Sequence, residues 1–212
     1  MTFRVHEAGP AKATFVLAHG AGAGQSHPWM QRYAAGLAAR GVRVVTFDFP
    51  YVQKGRKAPD RPEVLEEHYR GVVSAVSERF GGPLFIGGKS MGGRIASQIA
   101  AKHALAIEGL IFFGYPLHPP GKPEQRRDAH LPKIALPMLF VSGTRDGFAT
   151  EEEMTELVRG LGERATLLAV EGGDHSLVVP KRAAEKQADV DGRVWDAAAA
   201  FILGRNRSPR RR

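Results

Sequence analysis

A serine flanked by glycines stands in the stretch IGGKSMGGR, which covers positions 86–94. Gly88-Lys89-Ser90-Met91-Gly92 fits the pattern G-x-S-x-G, the sharp strand-to-helix turn that exposes a nucleophilic serine. Its first three residues also resemble the end of a phosphate-binding loop, which closes on Gly-Lys-Ser/Thr. The two interpretations predict different chemistry, because one describes a hydrolase and the other a nucleotide-binding protein.

The residues before this stretch favour the hydrolase. A phosphate-binding loop requires its first glycine at position 83, which is Pro83, and the following Leu84-Phe85-Ile86 is strand-like rather than glycine-rich. The next apolar run also ends without a carboxylate that would hold magnesium. In contrast, the run PLFIG leads directly into Ser90, and the helical pattern MGGRIASQIAAKH follows it. This is the context that a nucleophile turn requires.

Two later loops carry the acid and the base that a catalytic serine requires. A serine hydroxyl needs an adjacent base, and an imidazole base needs an acid to fix its tautomer. Asp146, in SGTRD, and His175, in GGDHS, each follow the end of a late strand pattern. They also lie in the chain order Ser, Asp, His that this kind of site uses. We therefore predict Ser90, Asp146 and His175 to form a catalytic triad.

Other residues compete for these two roles. Asp146 also fits a turn or a helix cap, since Arg-Asp-Gly is ordinary turn sequence. Asp174 is adjacent to the histidine and poorly placed to orient it, and Asp48 follows an earlier strand, where we expect it to shape its own loop. Only His175 follows the last strand pattern. The other histidines are His6, His19, His27, His68, His103, His118 and His130.

Backbone amides are expected to complete the site as an oxyanion hole. One donor is the amide after the nucleophile, on Met91, and the other comes from the loop after an early strand. That loop is HGAGAG, positions 19–24, where we predict Ala21 as the donor and Gly22 as the next candidate. We also expect His19 and Gly22 to contact substrate. A dinucleotide-binding loop with Asp48 as its acid is the weaker alternative for these glycines.

Apolar runs alternate with helical patterns along the chain, which predicts βαβ units. Near-continuous apolar strands indicate a mostly parallel sheet of about six to seven strands with helices on both faces. Ligands of such sheets bind beyond the carboxyl ends of the strands. The predicted strands cover 13–18, 42–47, 83–86, 107–113, 134–141 and 165–170. The predicted helices cover 28–40, 62–80, 91–103, 150–161 (with Thr150 and Glu153 as a capping box) and 190–203.

Length and composition further limit the number of domains and the class of protein. The length of 212 residues suits one α/β domain, which we expect over residues 1–204. Five arginines in 205–212 account for most of the net charge of +8, since subtracting them leaves +3. We expect this tail to be disordered and solubilising, with nucleic-acid binding as the less favoured alternative. The chain has no cysteine, no signal-peptide pattern and no apolar run long enough for a membrane span, so we expect a cytoplasmic protein without a thiolate metal site.

The motifs HGAGAG, FDFPY, GGKSMGGR, SGTRD and GGDHS, in this order over nearly the whole chain, resemble those of the α/β-hydrolase superfamily. More narrowly, the chain is similar to small bacterial dienelactone-hydrolase-like serine hydrolases, relatives of the hydrolase-like domain of a eukaryotic chromatin-complex subunit. The loop GYPLHPPGKP, positions 114–123, is part of that similarity. The resemblance implies ester hydrolysis without a cofactor by Ser90, Asp146 and His175. Dienelactone hydrolases proper use a cysteine nucleophile, so their substrates are not implied.

These observations predict a serine hydrolase of the carboxylesterase type that acts on a small ester. About 20 residues separate the strand patterns 107–113 and 134–141, which leaves no room for a large helical lid. In that segment His118 is a candidate substrate contact, although a local hydrogen bond is its favoured role. We assign no catalytic role to Lys89. A thioesterase, peptidase or C–C hydrolase on the same site, and a non-catalytic interaction module, are the alternatives.

Overall fold

A seven-stranded, mostly parallel sheet forms the centre of the computed structural model, which describes residues 2–204. Across the sheet the strands follow the order β1-β3-β2-β4-β5-β6-β7. β1 runs antiparallel to β3, and all other neighbours are parallel. The strands are β1 (Phe3–His6), β2 (Ala13–Ala18), β3 (Val42–Phe47), β4 (Leu84–Lys89), β5 (Gly109–Phe113), β6 (Met138–Gly143) and β7 (Ala165–Val170).

Six helices cover both faces of this sheet, which confirms the predicted α/β-hydrolase fold class. They are α1 (Pro28–Ala38), α2 (Pro50–Gln53), α3 (Pro62–Phe80), α4 (Met91–Lys102), α5 (Glu151–Leu161) and α6 (Gln187–Gly204). Single 3-10 turns occupy Leu131–Lys133 and Gly162–Arg164.

Two apolar cores lie on opposite faces of the sheet. One core packs α1 and α6 against the sheet, and the other packs α3, α4 and α5 against it. β2 contributes to both, because its side chains alternate: Phe15 and Leu17 belong to one core and Val16 and Ala18 to the other. A strand buried on both faces reads as a continuous apolar run, which is why β2 was predictable from its sequence.

Some element boundaries differ from the sequence predictions. β1 was not predicted, because it is short and half-exposed and carries Arg4 between apolar residues. β6 begins at Met138 rather than at position 134, since the chain first forms the 3-10 turn at Leu131–Lys133. The predicted capping box is confirmed: Thr150 Oγ1 accepts from the Glu153 amide at 3.2 Å, and Glu153 Oε2 accepts from the Thr150 amide at 2.8 Å.

The strand order opens a cleft at one edge of the sheet. The chain leaves β2 for β3 on one side and reaches β4 on the other, so the loops after β2 and β4 diverge at a topological switch point. Between β5 and β6 the described chain forms a single 3-10 turn and no α-helix, which agrees with the expected minimal lid. Within residues 2–204 no helix is long and apolar enough to cross a membrane. The predicted disordered tail, 205–212, lies outside the described residues.

Candidate active site

Ser90 stands at the junction of β4 and α4, which begins at the next residue. Its backbone has φ 50° and ψ −117°, a sparsely populated conformation for a residue with a side chain. The two flanking glycines make this turn possible, because a Cβ on Gly88 or Gly92 would lie 2.5 Å from the Ala18 carbonyl oxygen. The close approach of β2 therefore explains why both positions of the motif are glycine.

Ser90, His175 and Asp146 lie in one hydrogen-bonded line. The Ser90 hydroxyl is 2.8 Å from His175 Nε2. His175 Nδ1 is 3.0 and 2.8 Å from the two carboxylate oxygens of Asp146, which is 4% exposed. A proton on Nδ1, donated to the carboxylate, leaves Nε2 as the acceptor facing the serine. The arrangement can therefore remove the hydroxyl proton and stabilise the resulting imidazolium.

The loops that carry the acid and the base are in direct contact. A Cβ on Gly143, at the end of β6, would lie 2.2 Å from the Gly173 carbonyl oxygen. Asp146 also accepts the Phe148 amide at 2.8 Å, and the Phe148 ring stacks on the His175 ring with centroids 4.1 Å apart. Both loops are thus packed against each other, which fixes the distance between the carboxylate and the imidazole.

The segment after His175 is held in a tight turn. Asp174 Oδ1 accepts the amides of Ser176 at 2.7 Å and Val178 at 3.0 Å, and the Trp29 indole donates to the Ser176 carbonyl at 3.0 Å. Asp174, a competing acid in the sequence, therefore stabilises this turn and does not orient the imidazole. The second competitor, Asp48, accepts the amide and the side chain of Gln25 at 2.7 and 2.9 Å and so joins the loops after β2 and β3.

Lys89 contributes more to the site than its sequence position indicated. Its ammonium donates to the His175 carbonyl at 2.9 Å and lies 5.8 Å from the centre of the Trp29 ring. Burial lowers the pKa of Lys89 to about 8. The motif G-x-S-x-G carries no signal for this contact, because it depends on the loop after β7 folding over the residue before the nucleophile.

The two predicted oxyanion donors lie beside the nucleophile. Met91 is the first residue of α4, where an amide has no acceptor within its own helix. Ala21 follows Gly20 in a turn closed by the Ala23 amide, which donates to the Gly20 carbonyl at 3.3 Å. A Cβ on Gly20 would be 3.6 Å from the Ser90 Cβ, so this turn runs along the nucleophile. Both Ala21 and Met91 line the same cavity as Ser90.

Three predicted substrate contacts have other roles. Both ring nitrogens of the fully buried His19 are bonded to backbone, Nδ1 to the Gly20 carbonyl at 2.8 Å and Nε2 to the Phe49 amide at 3.2 Å. Burial also lowers the pKa of His19. His118 bonds the Pro119 carbonyl and Glu153, which is the local role favoured for it. Gly22 occupies a left-handed turn conformation with φ 69°. None of the three lines the cavity around Ser90 within the described residues.

A cavity of about 550 Å³ opens over the serine. Ser90, Met91 and His175 lie on its floor with the Gly20–Ala21 turn at one side. Its walls are largely apolar and come from α1, from α3 and the loop before it, and from the loops after β5 and β6. Its apolar lining residues include Trp29, Met30, Pro59, Pro62, Leu65, Pro116 and Phe148. The aspartate, lysine and arginine residues in the lining are Asp60, Lys89, Arg94 and Arg127.

The strand order, the serine on the turn after β4, and the histidine after the last strand define the class as an α/β hydrolase. The chain belongs to the family described as an alpha/beta hydrolase domain, whose model matches residues 11–203.

Solved structures share this fold. A protein of Xanthomonas campestris, described as an α/β serine hydrolase without a lid, is 19% identical, with a TM-score of 0.72 over 98% of this chain and 90% of that one. Est1E of Butyrivibrio proteoclasticus, with ferulic acid bound, is 15% identical, with a TM-score of 0.77 over 98% and 96%. A dienelactone hydrolase of Anabaena variabilis is 15% identical, with a TM-score of 0.71 over 95% and 90%. The assignment to the α/β hydrolases agrees with the resemblance seen in the sequence motifs.

Proposed function

We propose that the protein is a serine hydrolase of the carboxylesterase type, with Ser90 as nucleophile, His175 as general base and Asp146 as the acid that orients it. The observation that carries this proposal is the continuous hydrogen-bonded line from Ser90 Oγ through His175 to Asp146, with 2.8 Å between the hydroxyl and Nε2. A serine placed on a strained turn has no structural need for such a line, whereas a nucleophile does.

In the proposed reaction, His175 accepts the Ser90 proton as the oxygen attacks the ester carbonyl. The Met91 and Ala21 amides donate to the carbonyl oxygen as it becomes negative. The imidazolium then protonates the leaving alcohol, and a water molecule, deprotonated by His175, releases the acyl group as an acid. No step requires a metal or an organic cofactor.

A small ester suits the cavity. Its volume of about 550 Å³ lies within the range of small-molecule sites, and apolar walls surround a few polar groups. The bound ferulic acid in the Est1E structure shows that a related fold accommodates an aromatic acid, and the Xanthomonas campestris protein is a serine hydrolase without a lid. The second of these supports a hydrolase that admits its substrate without the opening of a helical lid.

The test is turnover of short p-nitrophenyl esters together with labelling by a fluorophosphonate. We expect the wild type to be active and labelled, and Ser90→Ala to lose labelling and about 10⁶-fold in kcat, because the serine and the histidine act as a unit. Ser74→Ala, an exposed serine on α3, is the matched control and should behave like the wild type. Equal turnover by the wild type and Ser90→Ala would refute the proposal. Thioester and peptide p-nitroanilide substrates in the same assay separate the esterase from its thioesterase and peptidase alternatives.

A further inference from the structure

Two arginines line the cavity without a carboxylate partner. Arg94 lies one helical turn after Ser90, and its amide donates to the Ser90 carbonyl at 3.1 Å. Arg127 belongs to the loop after β5 and faces the same cavity. Within residues 2–204, neither guanidinium forms a hydrogen bond or an ion pair. Both side chains are only partly exposed, so these are not ordinary surface arginines.

The acidic groups around the two arginines are already paired. Each forms an ion pair with a different cation, and these cations do not line the cavity. The pairs are Glu66 with Lys102, Asp128 with Arg126, and Asp60 with Arg56. Asp60 is the single carboxylate among the cavity-lining residues of the described chain, against the cations Lys89, Arg94 and Arg127. The cavity therefore carries an excess of positive charge that no residue on its surface balances.

The backbones of both arginines are tied to one buried pair of hydroxyls. Ser97 Oγ donates to the Arg94 carbonyl at 2.7 Å, and Tyr115 OH donates to the Arg127 carbonyl at 3.2 Å. The two hydroxyl oxygens are 3.2 Å apart, and both residues are at most 1% exposed. The two hydroxyls pack against each other and hold the α4 turn beside the loop after β5. The two arginine side chains thus extend toward the cavity from fixed backbone positions.

The positive charges of Arg94 and Arg127 also repel each other. Burial, followed by the positive charge of Arg127, lowers the pKa of Arg94. Two cations held close in a partly desolvated site raise the free energy of the empty protein, and an anion bound between them relieves that repulsion. Arginine also suits this role chemically, because its planar donors match the two oxygens of a carboxylate or phosphate.

We propose that Arg94 and Arg127 bind a negatively charged group of the substrate, so that the preferred esters carry a carboxylate or phosphate in addition to the ester bond. The inference rests on the proposed function for its reaction, with the acyl-transfer chemistry at Ser90 and the anionic end of the substrate at the arginines. The apolar walls of the cavity then hold the part of the substrate between the two ends.

The proposed anion binding is tested by comparing the turnover of two matched substrates, the neutral ester p-nitrophenyl acetate and the anionic ester p-nitrophenyl hydrogen glutarate. We expect Arg94→Gln and Arg127→Gln each to lower the ratio of kcat/KM for the anionic ester to kcat/KM for the neutral ester about 10-fold or more, since hydrogen bonds to a charged group are the stronger ones. Arg94→Lys should recover part of the loss, and Arg159→Gln, an exposed arginine on α5, should change neither substrate. Circular dichroism and melting temperature check that each variant is folded.

A binding measurement separates this inference from the proposed function. Ser90→Ala cannot turn over an ester, so titration calorimetry of this variant with monomethyl glutarate reports anion binding alone. We expect binding that weakens about 10-fold when Arg94→Gln is added. Phenyl phosphate in a second titration distinguishes a phosphate site from a carboxylate site. The inference fails if the double variant Arg94→Gln/Arg127→Gln retains both the anionic preference and the binding, whatever the fluorophosphonate labelling shows.

Discussion

Three single side chains hold His175 in place. Asp146 bonds its Nδ1, Phe148 stacks on its ring, and Lys89 holds its backbone carbonyl. Together these contacts hold the residue with Nε2 facing Ser90, 2.8 Å from its hydroxyl oxygen. In the proposed reaction, proton transfer from Ser90 depends on this short distance.

Replacement of Asp146 by asparagine tests the most important of these contacts. The amide keeps the shape of the carboxylate but favours the wrong tautomer of His175 and offers no charge to the imidazolium. We expect kcat/KM for p-nitrophenyl acetate to fall about 10⁴-fold, with the fold retained. Asp48→Asn is the control, since Asp48 bonds Gln25 and has no contact with the imidazole. A larger loss of turnover in Asp48→Asn than in Asp146→Asn would reverse the assignment of the acid.

Because the Lys89 ammonium is buried, we predict that the free energy of unfolding of the protein depends on pH. Burial lowers the pKa of Lys89 from 10.5 to about 8, so the folded protein releases this proton at a lower pH than the unfolded chain. Between these two values the unfolded chain binds more protons, and stability therefore rises with pH across that window. We expect the free energy of unfolding of the wild type, relative to Lys89→Met, to increase by at most about 3 kcal/mol from about pH 7.5 to about pH 10. Urea unfolding at the two pH values measures it, and a constant difference contradicts the prediction.

The structure brings together Ser90, Asp146 and His175, which stood out in the sequence because each follows a local pattern at a strand end. The contacts of Lys89 and the shared cavity of Arg94 and Arg127 were not predictable, because they depend on segments that are distant in sequence. His19 shows the opposite error. Its place after β2 suggested substrate contact, yet its ring is used to bond Gly20 and Phe49. Local patterns therefore single out the candidate reacting groups, whereas tertiary contacts decide which neighbours line the cavity.

At the scale of elements, the nucleophile turn depends on the adjacent strand as much as on its own sequence. β2 and β4 pair in parallel, with Ala18 opposite Gly88, and this brings the end of β2 against the start of α4. The alternation of strands and helices was enough to predict both elements. It was not enough to predict their order in the sheet, and so the cause of the glycine requirement appeared only in the structure. The missed β1 has a similar explanation, since a strand of 4 residues at a sheet edge is defined by its pairing with β3.

Gly92→Ala tests the contact between β2 and α4. The added Cβ would meet the Ala18 carbonyl oxygen at 2.5 Å and the Ala18 carbonyl carbon at 2.7 Å, and backbone atoms in a strand cannot move aside easily. We expect a loss of about 3 kcal/mol in the free energy of unfolding, the upper end of the usual cost of overpacking, together with loss of ester turnover. Gly160→Ala is the matched control, because a Cβ there meets nothing within 4 Å on α5. It should stabilise the protein by about 1 kcal/mol through helix propensity. Urea unfolding of both variants decides the matter, and equal effects of the two would contradict the proposed contact.

At the scale of the whole molecule, we expect positive charge to act on an anionic substrate in two ways. The net charge of +8 attracts anions from a distance, and five of these charges lie in residues 205–212. The arginines of the cavity act only after the substrate has entered. Salt separates the two effects, because exposed charges are screened over about 10 Å at 0.1 M ionic strength, while partly buried groups are screened much less.

Removal of residues 205–212 therefore distinguishes attraction by the tail from recognition in the cavity. The family match ends at residue 203, and every proposed catalytic and binding residue lies before it. We expect the shortened chain to hydrolyse p-nitrophenyl acetate like the full chain, and to lose less than about 2-fold on p-nitrophenyl hydrogen glutarate at physiological salt. Arg94→Gln should lose about 10-fold on the anionic ester under the same conditions. If the shortened chain instead loses the anionic preference and Arg94→Gln keeps it, the tail and not the cavity selects the substrate.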